Sequence, residues 1–409
     1  MCTESSMVAV TPPRQICHII SSLEDTEQNA LVIANIRQFP QPHFEHTLIV
    51  LKKSHPLSVV LPHDVSCLEL ALKGSWLHRM RECHRALTVL RPDICQTYGE
   101  HAFPVQWFAH RLNIPLKLHI HHSTRAQSGW ALDPIRSVKY RLLSHSVDVV
   151  ISTEDSDLIW LTEKALLESG KTQLIRSGID NRYHCPRLRE IDSGISNHFV
   201  GTVPIPAHHF VVGVPVAGSN KSTVLAFLDE YIAARAQSAR FARDCLLLLL
   251  GNSPHLHEYR NALERAGIND DSVRICNHSD YDRFYHHIDA IVSLDEKGHT
   301  PVSLLEAMSM GLPVIRQRDD DSECIDGDPL LWPTDYDANL MQYQLLTLYD
   351  NDHQRMRLGQ ASRRYVIEKH SHHEYRLRYR ALYTRAKKNE VMEPSGTATV
   401  LHKQWVTHE

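Results

Sequence analysis

Short apolar runs alternate with longer amphipathic stretches along almost the whole chain. ICHIIS (16–21), HTLIVL (46–51), DICQTY (93–98), PLKLHI (115–120), VDVVIS (147–152) and TQLIRS (172–177) have strand length and strand composition. Between most of them lie segments such as EQNALVIANIRQF and SDLIWLTEKALLES, whose apolar positions recur every three or four residues. Such alternation predicts a parallel sheet with helices on both faces. The stretch 185–209 breaks the pattern: it is polar, carries three prolines and keeps no period. The alternation then restarts with FVVGV (210–214), a helix near 221–235, CLLLLLG (245–251), a helix near 256–266 and SVRIC (272–276). It continues with a helix near 280–286, DAIVSL (289–294), a further helix and LPVIR (312–316). After Asp335 the chain reads as helices, near 336–350, 353–368 and 372–388.

This order predicts an α/β protein of two doubly wound, Rossmann-like domains with a cleft between them. The N-terminal domain is placed at 1–190, a linker at 191–208 and the second domain at 209–370. A C-terminal helix, 371–390, is expected to cross back to the first domain, followed by a tail at 391–409. In sheets of this kind, loops at the C-terminal strand ends line the cleft. No strand is followed by G-x-G-x-x-G, so a dinucleotide-binding dehydrogenase is not indicated.

The bulk numbers narrow the class. A chain of 409 residues that is 42% hydrophobic and 22% charged is an ordinary globular composition. A formal net charge of −4 gives no general nucleic-acid surface. Nine scattered cysteines without a C-x-x-C pair fit a reducing compartment. The N-terminus lacks a basic start followed by an apolar core, and the longest apolar run, from Cys245 to Leu250, is far below a membrane span. A cytoplasmic protein is expected, with the inner face of a plasma membrane as a candidate contact. The 29 histidines carry no H-E-x-x-H or comparable spacing, so a metal site is not expected. KGSWLHRMRECHRALTVLR (73–91) is amphipathic and basic; it suits either packing on the sheet or lying on an anionic membrane.

The chemistry concentrates in GHTPVSLLEAMSMGLPVI (298–315). Thr300 is a candidate N-cap, Pro301 suits the first helical position, and Gly311 suits a left-handed stop. The helix between them is short, and the free amides at its start, with the macrodipole, favour a phosphate. Glu306, about a turn inside, is placed to accept hydrogen bonds from sugar hydroxyls. The bland alternative is a capped core helix with Glu306 merely solvated.

TPVSLLEAMSMGLPV resembles the donor-site signature of the GT-B-fold glycosyltransferases, in particular the large retaining family 4 (glycosyl transferases group 1). Upstream, LLLLLGNSP and SVRICNHSDYDRFYHHIDAIVSL resemble that family's strand-turn and base-binding segments. In the N-terminal half, RPDICQTYGEHAFPVQWFAHRLNIPLKLHIHH, SVDVVIST and IRSGIDNRYHCP are similar to its further motifs, in the right order. The resemblance implies transfer of a sugar from a nucleotide-sugar, such as a UDP- or GDP-sugar, to a glycan or lipid-linked acceptor, as in polysaccharide biosynthesis. It implies no metal and no cofactor, because amides, a helix N-terminus and basic side chains neutralise the diphosphate. Carried over by position, Glu306 holds the ribose, and the amides at Thr300, Val302 and Ser303, with His299 beside them, hold the phosphates. Lys221 adds charge, Asn277 lies where the base sits, and Glu323 keeps its place. His121 faces the donor sugar. A nucleotide-sugar epimerase shares the fold and the phosphate helix, but the SLLEAM wording fits the transferases.

Four departures stand out. The family's first acid is Gly298 here, with Glu296 two residues away as its candidate substitute. Val214 stands where an arginine belongs, and Lys221 is shifted by about two positions. Asp319 and Asp320 replace a glycine pair, bringing negative charge toward an anion site. EDTE (24–27) replaces a glycine-bearing loop that lets backbone approach the donor. Two readings therefore stay open: an active enzyme with altered donor contacts, or a catalytically silent relative that binds a partner glycosyltransferase or a glycan.

Overall fold

The computed structural model describes residues 13–386 apart from 24–25, 53–64, 71–74, 122–132, 187–198, 201–202, 205–208, 217–218, 252, 269–271, 277–284, 295–299 and 317–339. Two parallel sheets form the frame. The first holds β1 (Arg14–Ile20), β2 (Phe44–Val50), β3 (Ser66–Glu69), β4 (Ile94–Tyr98), β5 (Leu116–His121), β6 (Val149–Ser152) and β7 (Thr172–Leu174), in the order β3-β2-β1-β4-β5-β6-β7. A short antiparallel hairpin, β8 (Phe199–Val200) and β9 (Val203–Pro204), follows. The second sheet holds β10 (Phe210–Pro215), β11 (Cys245–Leu250), β12 (Val273–Cys276), β13 (Ala290–Ser293) and β14 (Val314–Arg316), in the order β12-β11-β10-β13-β14.

The helices are α1 (Thr26–Gln38), α2 (Trp76–Leu90), α3 (Gly99–Ala102), α4 (Val105–Arg111), α5 (Asp133–Leu143) and α6 (Asp155–Ile159) around the first sheet. Around the second are α7 (Lys221–Gln237), α8 (Ala239–Asp244), α9 (Leu256–Arg265), α10 (Val302–Ser309), α11 (Leu340–Asp350) and α12 (Asp352–Lys369), with α13 (His372–Tyr383) after them.

The central strands are continuous apolar runs because helices cover both faces; all six residues of β11 are buried. β3 was not foreseen from the sequence. It is an edge strand of four residues whose first two are exposed, so it lacks the buried run that marks its neighbours. The hairpin β8–β9 lies inside the polar stretch expected to be a linker. The amphipathic stretch SDLIWLTEKALLES is also shorter as a helix than its pattern suggests. α6 passes into a wide turn over Trp160–Lys164, and Leu166 takes a left-handed φ of 53°, which ends it.

Strand order reverses between β1 and β4 in the first sheet and between β10 and β13 in the second. These are the switch points at which doubly wound sheets hold ligands, at the C-terminal strand ends.

The two halves are joined by more than a linker. Ile179 donates its amide to the His370 carbonyl (3.0 Å), and His370 Nδ1 donates to the Ser177 carbonyl (3.1 Å). α13 then packs on the first sheet, with Tyr383 ringed by Phe39 (5.1 Å) and Phe44 (5.6 Å). One buried apolar cluster runs from Ile16 and Leu118 through Tyr379 and Val366 to Met308 and Val211.

A buried polar network fixes that docking. His46 Nε2 donates to the Phe39 carbonyl (2.6 Å), so His46 Nδ1 accepts from His18 Nε2 (2.9 Å). His18 Nδ1 in turn accepts from the Tyr98 hydroxyl (3.0 Å), which accepts from Gln96 Nε2 (2.7 Å). Both imidazoles are therefore neutral, and burial pushes His18 well below the usual imidazole range, with His46 adding to it. The Tyr383 hydroxyl lies 2.8 Å from both Asn35 Oδ1 and Gln96 Oε1, and Asn35 Nδ2 donates to the Tyr375 hydroxyl (2.9 Å).

Candidate functional site

α10 leaves the switch point of the second sheet after β13. Six of its eight residues are buried, Leu304, Leu305 and Met308 among them. Burying each such side chain contributes about 1.5–3 kcal/mol, which holds the helix in place. The two remaining residues, Ser303 and Glu306, are spaced three apart and share its open face.

The helix start differs by one residue from the sequence expectation. Pro301, not Thr300, is the N-cap, at φ −56° and ψ 149°. Its carbonyl accepts from the amides of Leu304 and Leu305 (both 3.0 Å). Proline at this position has no N–H to orphan, and its extended ψ turns the preceding residue away from the helix. Thr300 is therefore outside, and its amide donates to Glu154 Oε1 of the first domain at 2.8 Å. Among the described residues nothing accepts from the amides of Val302 and Ser303. Of the three amides expected to face a phosphate, two point out of the helix start and one is held by a carboxylate across the cleft.

The other end of α10 is clamped. Gly311 takes φ +80° and donates its amide to the Met308 carbonyl (2.9 Å). The Arg363 guanidinium donates to the carbonyls of Ser309 and His184, placing a cation at the negative end of the helix dipole. Ser309 Oγ lies 2.7 Å from the His184 carbonyl and 3.1 Å from Asn181 Oδ1. α12 approaches so closely that a Cβ on Gly359 would lie 2.0 Å from the Gly311 carbonyl oxygen. A helix fixed this firmly presents its free amides in one position.

Glu306 sits one turn in. Tyr285 donates its hydroxyl to the Ser303 carbonyl (2.8 Å) and lies 3.4 Å from Glu306 Oε2, while His184 Nε2 is 3.6 Å from Oε1. The Glu306 side chain is 23% exposed, enough for its carboxylate to meet a ligand hydroxyl.

His121 closes β5, at the cleft-facing end of the first sheet, but its side chain is 1% exposed. Its Nδ1 is 2.7 Å from the Tyr140 hydroxyl, its Nε2 is 3.7 Å from Asp157 Oδ1, and its ring stacks on Trp160 at 5.4 Å. Arg136 lies over the far ring at 4.7 Å and pairs with Glu100. Burial, then the nearby Glu100 carboxylate, pushes the Tyr140 phenol well above its usual range, so Tyr140 acts as a neutral donor. Together these groups hold the His121 ring in one orientation just beneath the strand end.

Lys221 opens α7, and its ammonium is 3.0 Å from Glu258 on α9. That contact is the first reason the Glu258 carboxyl falls to about 2. A diphosphate reaching Lys221 competes with this carboxylate. Glu296, Asn277, His299 and Glu323 lie outside the described residues, as do Gly298, Asp319, Asp320 and the substituted loop positions Glu24 and Asp25.

Sequence reasoning did not single out Glu154, Arg363, His184, Tyr285 or Asp157. Each is set by contacts between distant segments: Glu154 and Thr300 are 146 residues apart, Arg363 and His184 179. Among the described residues no group of three or more His, Cys, Asp or Glu is arranged to hold a metal ion, and no helix is long and apolar enough to cross a membrane.

Two parallel, doubly wound sheets facing one another across a cleft, with a helix from the far strand returning to the first, define the GT-B fold. Solved structures agree over nearly the whole chain. Sucrose-phosphate synthase from Thermosynechococcus elongatus is similar with a TM-score of 0.65 at 17% identity, covering 91% of this chain and 98% of that one. Anabaena HepE in complex with UDP and glucose is similar with a TM-score of 0.62 at 12% identity, covering 91% and 99%. A putative UDP-N-acetylglucosamine 2-epimerase from Listeria monocytogenes reaches 0.59 at 12% identity, covering 93% and 100%. These likenesses establish the fold. Residues 211–351 match the family Glycosyl transferases group 1, so the second domain is a glycosyl transferase group 1 domain. No curated protein matches the chain.

Proposed function

We propose that the chain is a retaining glycosyltransferase that moves a hexose from a nucleotide-sugar to a glycan or lipid-linked acceptor in polysaccharide biosynthesis. The observation that carries the reading is the pair of amides, Val302 and Ser303, that have no acceptor among the described residues, at the start of a helix immobilised at its other end. Bound there, a pyrophosphate gains two backbone hydrogen bonds and the positive end of the dipole. Glu306, on the same face, accepts from ribose hydroxyls. As the glycosidic bond breaks, negative charge accumulates on the departing diphosphate, where the fixed amides stabilise it without reorganising. The acceptor hydroxyl attacks from the same face. His121 supports the sugar-facing end of β5 through an orientation set by Tyr140, and Glu296 is the candidate carboxylate for the donor sugar. Lys221, Asn277, His299 and Glu323 complete the proposed donor contacts. UDP bound to HepE, on the same fold, makes a uridine nucleotide the first donor to try.

A panel of UDP, GDP and ADP tests the reading by thermal shift and calorimetry, with Glu306→Ala alongside the parent. One nucleotide stabilises the parent, and Glu306→Ala weakens it by about tenfold, the worth of one charge-assisted hydrogen bond. Equal affinity in both proteins removes Glu306 from the site, and no binding by any nucleotide removes the enzyme. The Glu154 carboxylate on the Thr300 amide favours a second reading, a silent GT-B protein that binds a glycan or another glycosyltransferase. It requires that no nucleotide-sugar be consumed at any concentration. A membrane-linked acceptor is supported by α2 and α4, which expose Trp76 (50%), Leu77 (60%) and Trp107 (47%) beside Arg79 and Arg81. Co-sedimentation with anionic liposomes, lost in Trp76→Ser/Leu77→Ser, checks that contact.

A further inference from the structure

A cavity of about 1250 Å³ lies away from the interdomain cleft. Arg14 and Phe44, the first residues of β1 and β2, are on its wall, so it opens at the sheet end opposite the one that carries His121 and Glu154. Its other walls are the exposed face of α13 and the segment 180–182, which follows the last strand of the first sheet. Along α13 the residues facing the cavity, His373, Arg376, Leu377, Arg380 and Thr384, repeat at helical spacing. The opposite side of the helix carries the buried Tyr375, Tyr379, Leu382 and Tyr383 that dock it.

The charge on these walls is one-sided. Arg182, Arg376 and Arg380 line the cavity, and none has a carboxylate partner among the described residues. His43, His372 and His373 join them. Asp180 is the one carboxylate among the described lining residues, and its Oδ1 accepts the Arg182 amide at 3.0 Å. Arg14 is spent elsewhere, on the carbonyl of Tyr383 at the end of α13. Burial makes His372 harder to protonate; Asp180 opposes this, but Arg376, Arg182 and His373 all reinforce it, which places these groups within reach of one another. Like charges gathered around a cavity repel unless an anion joins them. By contrast, Arg378, on another face of the same helix, bonds Glu374 at 2.7 Å.

We propose that this cavity is a second anion site, distinct from the nucleotide-sugar cleft, which takes a soluble ligand bearing several phosphate groups. Three guanidiniums offer planar forks that match phosphate oxygens. Arg376 and Arg380 lie about one turn apart on α13, and with Arg182 on the facing segment they suit an extended ligand with more than one charged group rather than a single small ion. The volume exceeds the ~300–1,000 Å³ that encloses a drug-sized molecule, and Phe44 and Leu377 supply apolar lining for the part of the ligand between its phosphates. The proposal does not depend on transferase activity.

The test is isothermal titration of the full chain with inorganic tripolyphosphate near physiological salt, with and without a saturating nucleoside diphosphate. The expected result is binding that persists with nucleotide present and weakens at least tenfold in Arg376→Gln/Arg380→Gln. Both side chains are exposed, so the double variant should keep the parent's melting temperature without ligand. Should it not, Arg182→Gln, also exposed, is read in its place and should weaken binding severalfold. Absence of binding at millimolar tripolyphosphate, equal affinity in parent and variant, or stoichiometric displacement by the nucleotide would each overturn the second site. Displacement would assign the anion to the cleft instead.

Discussion

Glu154 is the sharpest test of the phosphate helix. Its carboxylate accepts the Thr300 amide at 2.8 Å, from the opposite domain. It therefore occupies one amide of the proposed donor loop and holds a negative charge beside the two that have no acceptor among the described residues. A phosphate on Val302 and Ser303 would lie beside that charge, at a spacing on the order of 6 Å, about two hydrogen-bond lengths. Two unit charges at this distance repel by ~3 kcal/mol at an effective dielectric of about 20. Glu154 is half-buried, and mobile ions screen part of the field, so about 1–2 kcal/mol is the working figure. Glu154→Gln keeps the side-chain oxygen that accepts from Thr300 and removes only the charge. Affinity for the nucleoside diphosphate should rise about 5–30-fold. Calorimetry at low and at high salt is the assay, and the gain should shrink as salt rises. Unchanged or weaker binding in a folded Glu154→Gln protein, or a gain indifferent to salt, would falsify the placement of the pyrophosphate at this helix.

Three further substitutions test the packing and the buried groups around this helix and its docking. Gly359→Ala sets a Cβ 2.0 Å from the Gly311 carbonyl oxygen, a backbone contact that cannot swing aside, so chemical denaturation should show a loss of about 2 kcal/mol or more, with nucleotide binding weakened through displacement of α10. Tyr383→Phe leaves Asn35 Oδ1 and Gln96 Oε1 without the hydroxyl between them and should cost about 1–3 kcal/mol in the same assay. Burial holds His370 at about 4, below the ordinary value of 6.5, while the Ser177 carbonyl opposes the shift. The fold thus binds fewer protons than the unfolded chain between these values, and the stability His370 confers is complete above about pH 6.5 and is lost as pH falls toward 4. Between pH 7 and pH 5 the loss from this one residue is about 2 kcal/mol, and His370→Gln should flatten the stability profile by that amount.

Much of this molecule could be read in advance because its signals are local. A strand buried on both faces must be apolar throughout, so CLLLLL announced β11 and placed the neighbours of α10. Gly311 announced the helix stop because a φ of +80° is nearly closed to other residues. The errors fall where the deciding contact is remote. Thr300 has the composition of a cap, but its amide is captured by Glu154, and the cap falls to Pro301. Edge strand β3 shows no burial pattern because half of it faces solvent.

The same division between local and remote explains how the site can keep its scaffold while its charges differ. α10 is held by contacts that ignore the ligand: Arg363 on the Ser309 carbonyl, Gly359 against Gly311, six buried side chains. Its two open amides are backbone, and no substitution short of proline removes them. The charged groups bearing on the proposed donor space are side chains from elsewhere: Glu154, the N-cap of α6, and, in the proposed donor set, Lys221 from α7, which is paired with Glu258. Because these act on a fixed helix rather than through it, each should tune affinity by its own increment, and combining Glu154→Gln with Glu258→Gln, which releases Lys221, should give nearly additive gains in nucleotide binding. A large departure from additivity would mean that the helix itself moves between the two states, contrary to the clamp described above.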